Sequence, residues 1–276
     1  MKKLIGLLLV LLLVFAACSN EVGEDDGGYV AVTAPEESPE EVPTPKELPE
    51  VEDIEVIEEE PVRIQRPDAE PTMVIALTID DGPFSYTYRL LDILEEYDVR
   101  ATFFVIGRHV QNQQEQARLI HEAGHELANH SWAHNSMGNA DPDLIRTELE
   151  DTSAAIREIT GEDPIFFRAP NLNYGANLTE VTAELGLPII GADAIGQDWN
   201  DIAPDRIAAN VVNAATDGGI ILLHEQFSAS TLRTKEALPL IFGELWNAGF
   251  EIITLGELVE RRGVELQPGV LYNRIG

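Results

Sequence analysis

From Met73 onward, short apolar runs alternate with stretches of helical period. Residues 74–79, 101–106, 125–128, 165–167, 188–191, 219–223 and 250–253 read as strands. Most are continuous apolar runs, the mark of strands buried on both faces. Between them, residues 86–97, 111–123, 141–159, 179–185, 205–215, 231–248 and 255–262 carry apolar positions at helical spacing. In the first, Leu90, Leu91, Ile93 and Leu94 supply one apolar face. Asp141-Pro142 opens the third helix and Gly161 closes it. Seven strands alternating with helices predict an α/β fold with a parallel sheet, open or closed. No glycine-rich dinucleotide or phosphate loop follows the first strand. The expectation is a distorted (β/α) barrel of about seven parallel strands, one short of the usual eight.

The N-terminal quarter is patterned differently. Lys2 and Lys3 precede an apolar run from Leu4 to Ala17, then the sole cysteine, Cys18. A short basic region, an apolar stretch of this length and small residues before a cleavage point describe a secretory signal over residues 1–18. Ala16-Ala17-Cys18 resembles a bacterial lipobox, which implies lipid attachment at Cys18 and a chain held on the outer face of a bacterial membrane through that anchor only. Residues 19–71 hold eight of the 16 prolines, 18 acidic residues and three basic ones, with Tyr29 the only aromatic. Such a segment cannot bury enough apolar surface to order itself and is expected to be a solvated spacer. The third expected unit, residues 72–276, carries the alternating pattern.

A net charge of −31 argues against nucleic acid as a partner, because phosphate binding needs clustered Lys and Arg. One cysteine excludes an internal disulfide. The sequence favours a monomer without fixing the oligomeric state.

The unusual polar residues fall at strand ends. Asp80 and Asp81 end the first strand, His130 and His134 follow the third, and Arg168 ends the fourth. Asp198 and Trp199 follow the fifth, and His224 ends the sixth. In parallel α/β folds the C-terminal strand ends meet on one face, where sites form. His130 and His134 are four apart, so on a helical turn both rings lie on one side, as in helical zinc sites. A carboxylate from Asp80 or Asp81 would complete a three-ligand set with a position open to water. Of two adjacent carboxylates, one can bind the cation while the other takes a proton from water. Arg168 closes an apolar strand and needs an acidic partner if buried. Asp198 is the candidate partner that would hold His224 protonated. His109, His121 and His125 read as structural or surface residues.

Taken together, these segments resemble the polysaccharide deacetylase family, the NodB-homology domain of carbohydrate esterase family 4, over roughly residues 73–258. Thr78-Ile79-Asp80-Asp81-Gly82 resembles its first motif and His130-Ser131-Trp132-Ala133-His134 its second. Arg168-Ala169-Pro170, Asp198-Trp199 and Leu222-Leu223-His224 are similar to the third, fourth and fifth, in the family's order. The resemblance implies a metal-dependent hydrolase that removes acetyl groups from a carbohydrate polymer: chitin-like oligosaccharide, peptidoglycan or acetyl xylan. It implies Asp81, His130 and His134 as ligands of a divalent metal, most often zinc, with cobalt or another first-row ion as alternatives. It further implies Asp80 as general base, Arg168 as its orienting partner, and His224 as general acid supported by Asp198. Trp199 and Leu222 would line the acetyl pocket, and the backbone N–H of Asp81 or Asn171 would stabilise an oxyanion. Asn171-Leu172-Asn173 intervenes before Tyr174-Gly175, where the family usually continues directly with an aromatic residue and glycine, so Asn171 and Tyr174 are both candidate wall residues. Glu225 stands where Asp is common. A hydrolase of another C–N bond, or a non-catalytic glycan-binding module, remains the alternative.

Overall fold

A computed structural model describes residues 64–225 and 229–276. The expected signal segment, Cys18 and the expected spacer up to residue 63 lie outside the described residues. The chain begins its alternation with β1 (Met73–Asp80), α1 (Tyr88–Glu96), β2 (Thr102–Val105), α2 (Gly107–Asn112), α3 (Gln114–Glu122) and β3 (Glu126–Asn129). There follow α4 (Pro142–Thr160), α5 (Ala176–Glu184), β4 (Ile189–Ile190), β5 (Ala194–Ile195) and α6 (Pro204–Ala214). The remainder is β6 (Gly219–His224), α7 (Ala229–Asn247), β7 (Phe250–Ile253), α8 (Leu255–Arg262) and β8 (Leu271–Tyr272).

The main sheet runs β3-β2-β1-β6-β5, with β7 paired to the first half of β1, and every ladder in it is parallel. Beyond β3 it continues through single bridges, Asn129 to Phe167 and Phe167 to Ile189, onto the parallel pair β4–β8. This is the expected distorted barrel. Six of the seven expected strands form; the one at residues 165–167 is reduced to the bridging residue Phe167. The two-residue strands β5 and β8 carry no sequence period and were not anticipated.

Strand alternation sorts the core. Ile75, Leu77 and Ile79 of β1 pack outward with Phe103, Val105, Ile221 and Leu223 against the helices. Ala76 faces the opposite side, with Phe104, Ala128, Ile190, Ile220 and Ile253. Thr78 and Asp80 continue that inner row, so the barrel interior turns from apolar to polar along β1 toward its C-terminal end. A third cluster, including Met137, Ile145, Phe167, Leu178 and Ile189, packs α4 and α5 on the bridged side. Ahead of β1, Ile64 packs against the outer core and Arg66 lies 5.2 Å over the Trp246 ring.

Candidate active site

Register brings the acidic and basic strand ends level. Asp80 of β1 pairs directly with His224 of β6, and with Phe104 of β2 on its other side. A cavity of ≈590 Å³ opens at this end of the barrel, with Asp80, Asp81, His130, His134 and His224 in its wall.

Arg168 lies fully buried beneath the cavity. Its Nη1 donates to Asp80 Oδ1 at 2.6 Å and to Thr78 Oγ1 at 2.8 Å, and its Nε and Nη2 donate to the carbonyls of Ile190 and Gly191. The guanidinium carbon sits 4.1 Å over the Phe104 ring. A buried arginine stays charged, so this web of acceptors is what makes its burial tolerable. One carboxylate oxygen of Asp80 is thereby tied down, and Oδ2 lies 3.7 Å from His130 Nε2.

The two histidines are held by a loop, not by the expected helical turn. Ser131 and His134 take positive φ (65° and 59°), which a right-handed helix cannot accommodate. The loop is pinned by Ser131 N–H to Asn129 Oδ1, His134 N–H to Ser131 Oγ and Ala133 N–H to Glu148 Oε2. The ring centroids still come within 5.0 Å. His130 Nδ1 lies 2.8 Å from the carbonyl of Arg168, which can only accept, so Nδ1 carries the proton and Nε2 presents a lone pair.

That lone pair faces Asp81. Asp81 Oδ1 is buried and has no hydrogen-bond partner, yet lies 3.2 Å from His134 Nε2 and 3.5 Å from His130 Nε2. The three donor atoms fall within 4.8 Å of one another. An anionic oxygen facing a nitrogen lone pair is repulsive unless a cation joins them. The donor set therefore fits a divalent metal, with the two-nitrogen, one-oxygen ligation suited to a first-row ion. Burial opposes the charge on Asp81; positive charge on the side of His130 and His134, an imidazolium or a cation in its place, outweighs burial and holds the carboxyl far below the usual range.

On the opposite wall, His224 Nδ1 is 2.8 Å from Asp198 Oδ1, while Asp198 Oδ2 accepts from the His224 backbone N–H (2.7 Å) and Thr234 Oγ1 (2.8 Å). Burial works against a charged imidazole here. The Asp198 hydrogen bond and charge overcome it, Asp80 and Asp81 add to them, and the pKa rises to about 9. Trp199, 44% exposed, sets its ring edge-on to His224 at 5.1 Å. Leu222, Asn171 and Leu172 complete the wall.

The sequence reading brought nine of its residues to this place: Asp80, Asp81, His130, His134, Arg168, Asp198, Trp199, Leu222 and His224. Asn171 also lines the cavity, but Tyr174 does not; it packs on the third core cluster, where burial raises its pKa to about 12. The Asp81 N–H is already committed to the Phe104 carbonyl at 3.1 Å, whereas the Asn171 N–H has no backbone acceptor among the described residues. Asp198 and Trp199 follow β5, the unanticipated strand, not β4. His109, read as structural, contacts the site: its Nδ1 is 2.8 Å from the Asp81 carbonyl. Glu148 and Thr234 were missed, and no spacing in the sequence marks them; Glu225, noted for standing where Asp is common, was given no role. Backbone strain does mark the site: Asp81, His134, Asn171, Leu172 and Gln197, all in the cavity wall, have positive φ without being glycine.

A parallel α/β barrel with paired carboxylates, a two-histidine set and an Asp–His pair in one cavity defines a hydrolase-type centre. The polysaccharide deacetylase family matches residues 68–190. The chitooligosaccharide deacetylase of Bradyrhizobium sp. is 34% identical over 209 residues, 71% of this chain and 95% of that protein. A bifunctional xylanase/deacetylase of Pseudobutyrivibrio xylanivorans is 37% identical over 205 residues, 72% of this chain but only 32% of that protein, so the chain spans about a third of its length. A family 4 acetyl xylan esterase from Clostridium thermocellum, solved with a cobalt ion, superposes with TM-score 0.69 at 38% identity, over 73% of this chain and 98% of that one. The chain belongs to the polysaccharide deacetylase family.

Proposed function

We propose that this protein is a metal-dependent hydrolase that releases acetate from an acetylated carbohydrate polymer, with zinc as its ion. The observation that carries the reading is the convergence of the Asp81–His130–His134 donor set, the Arg168-bound Asp80 and the Asp198-bound His224 on one cavity. Asp81, His130 and His134 would hold the metal, which when bound supplies a Lewis acid that polarises the acetyl carbonyl and acidifies water.

The chain's own groups divide the remaining work. Arg168 fixes Asp80 Oδ1, so Asp80 Oδ2 accepts the proton of the attacking water. Water oxygen bonds to the carbonyl carbon, and the Asn171 N–H, which has no acceptor among the described residues, stabilises charge developing on the carbonyl oxygen. Asp198 orients His224 through Nδ1. Nε2 then gives its proton to the leaving sugar nitrogen or oxygen as the bond to the acetyl carbon breaks. Leu222 and Trp199 enclose the methyl group.

Relatives named for chitooligosaccharide and for xylan bracket the substrate class: a sugar polymer or oligomer carrying N- or O-acetyl groups. The apolar run before Cys18 and the acidic spacer support a secreted chain, lipid-anchored outside a bacterial membrane, with a working domain that takes in Ile64 and Arg66 ahead of the expected boundary at residue 72. The test is acetate release by the full-length chain from N-acetyl chito-oligosaccharide, peptidoglycan fragments and acetyl xylan. Release from at least one supports the reading and names the substrate. No release from any, with zinc bound and the fold intact, turns it toward another C–N bond or a binding module.

A further inference from the structure

The turn that carries Asp80 and Asp81 is packed against a residue with no assigned role. Glu225 follows His224 directly, is fully buried, and its backbone N–H donates to the Asp80 carbonyl at 2.9 Å. Its side chain turns back to the loop after β1. Glu225 Oε1 lies 2.6 Å from Thr87 Oγ1, and Oε2 is buried without a hydrogen-bond partner.

Two observations show how closely the parts are fitted. First, a Cβ placed on Gly82 would meet Glu225 Oε2 at 2.4 Å and Cδ at 3.3 Å. Gly82 is not among the positive-φ residues. A Cβ here would therefore push on the Glu225 carboxyl, so the glycine gives that side chain room and is not called for by backbone conformation. Second, the hydrogens around Thr87 must be counted. Thr87 Oγ1 accepts from Phe84 N–H (2.9 Å), lies 2.8 Å from the Phe84 carbonyl and 2.6 Å from Glu225 Oε1. A hydroxyl has one proton and two lone pairs. It cannot donate to both the carbonyl and an ionised carboxylate. Both contacts are satisfied if Thr87 donates to Phe84 and a neutral Glu225 donates to Thr87. A neutral carboxyl also leaves Oε2 as an unpaired carbonyl oxygen, far less costly than an unpaired buried charge. Consistent with this, burial raises the Glu225 pKa to about 7, even against the Thr87 and Phe84 contacts that would favour the anion if they donated to it.

We propose that Glu225 is a positioning residue: seated against Gly82 and bonded to Thr87, it locks the turn bearing Asp80 and Asp81 to the end of the strand bearing His224. It touches no reacting atom. It acts by fixing the distance between one proton acceptor, one metal ligand and one proton donor that arrive on two different strands. The inference rests on the deacetylase reading for its kinetic consequence, but its geometric content concerns where Asp81 sits, and metal affinity reads that without turnover.

The test uses the full-length chain and Co²⁺ alone as the probe, followed by its visible absorption, with acetate release measured in parallel. Glu225→Gln keeps the size, the neutrality and a donor to Thr87, so it should retain Co²⁺ affinity and kcat to within about threefold. Glu225→Leu, folded by circular dichroism, should bind Co²⁺ about tenfold more weakly and lose kcat by more than KM changes, because the displaced turn misaligns ligand and base. Wild-type affinity in folded Glu225→Leu overturns the proposal, as does a Gln variant as impaired as the Leu one. Should Glu225→Leu fail to fold, Gly82→Ala decides: it should weaken Co²⁺ binding, and adding Glu225→Asp, which withdraws the carboxyl by one methylene, should restore part of it. A Gly82→Ala chain with undiminished affinity, or no coupling between the two changes, contradicts the latch. If the wild type binds Co²⁺ and the variants follow this order but no acetate is released, the latch stands and the deacetylase reading falls.

Discussion

Asp80 and Asp81 are adjacent, yet their environments divide them. The backbone turns sharply at Asp81 (φ 81°), so Asp80 stays in the barrel interior on Arg168 while Asp81 swings toward the two histidines. On the proposed assignment, Asp80→Asn should lose about 10²–10⁴ in kcat while keeping stoichiometric zinc. His134→Ala should instead lose the zinc, having only two of three donors left. Metal analysis beside steady-state kinetics separates the two; a zinc-free Asp80→Asn or a zinc-replete His134→Ala would exchange or cancel these roles. His224 offers a second residue-level test. Burial alone would make its imidazolium unstable, and Asp198 is the main group reversing that, giving a folded pKa of about 9 against 6.5 for the free ring. The protonated form, proposed as the general acid, therefore persists below about pH 9 and is lost above it. Asp198→Asn should move the alkaline limb of the kcat profile down by at least about one pH unit. An unmoved limb would assign it to another group.

At the scale of elements, the site depends on strand ends that the sequence displays and on loops that it hides. Long apolar runs such as β1 and β6 are legible because burial on both faces leaves almost no polar position (Thr78 alone) until the strand ends, where Asp80 and His224 stand out. The His130–His134 spacing correctly paired the rings but gave the wrong backbone, because i,i+4 spacing cannot report that Asn129 and Glu148 pull the loop out of helical φ. The helix expected over residues 111–123 starts earlier, as α2 from Gly107, and is broken at Gln113 (φ −130°, ψ 47°) within a polar run, residues 111–116, that carries no apolar period to show the break. Two-residue strands are too short to show alternation. Glu148 and Thr234 reach the site only by tertiary packing. His125, just before β3, is a structural element of a different kind. Its Nδ1 accepts from Ala101 N–H at 3.1 Å, so the ring must be neutral in the fold. Burial first, then the Arg100 charge, lowers its pKa to about 4. Its folded pKa lies below the unfolded value, so its contribution is complete above about pH 6.5 and is lost as pH falls toward 4. Against His125→Gln, wild-type stability in urea titrations should fall by an additional 2–3 kcal/mol or so, roughly, across that window. Parallel pH dependence in both chains would contradict this account.

For the whole molecule, the question is where a barrel of this charge works. Among the described residues no helix is long and apolar enough to cross a membrane. The proposed attachment therefore rests on Cys18 and the run before it. Cys18→Ser should move the chain from the membrane fraction to the soluble fraction without changing acetate release; tight association that survives the change would remove the anchor from the account. The proposed spacer would give the catalytic face reach from that surface toward polymer.

The central claim, that one metal-dependent centre removes acetyl groups, is tested most directly by acetate release from the identified substrate before and after chelation and zinc return. The account predicts that release stops with chelator, returns on adding zinc to the wild type, and does not return in Asp80→Asn. Release that continues undiminished in a chain shown to be metal-free would contradict it.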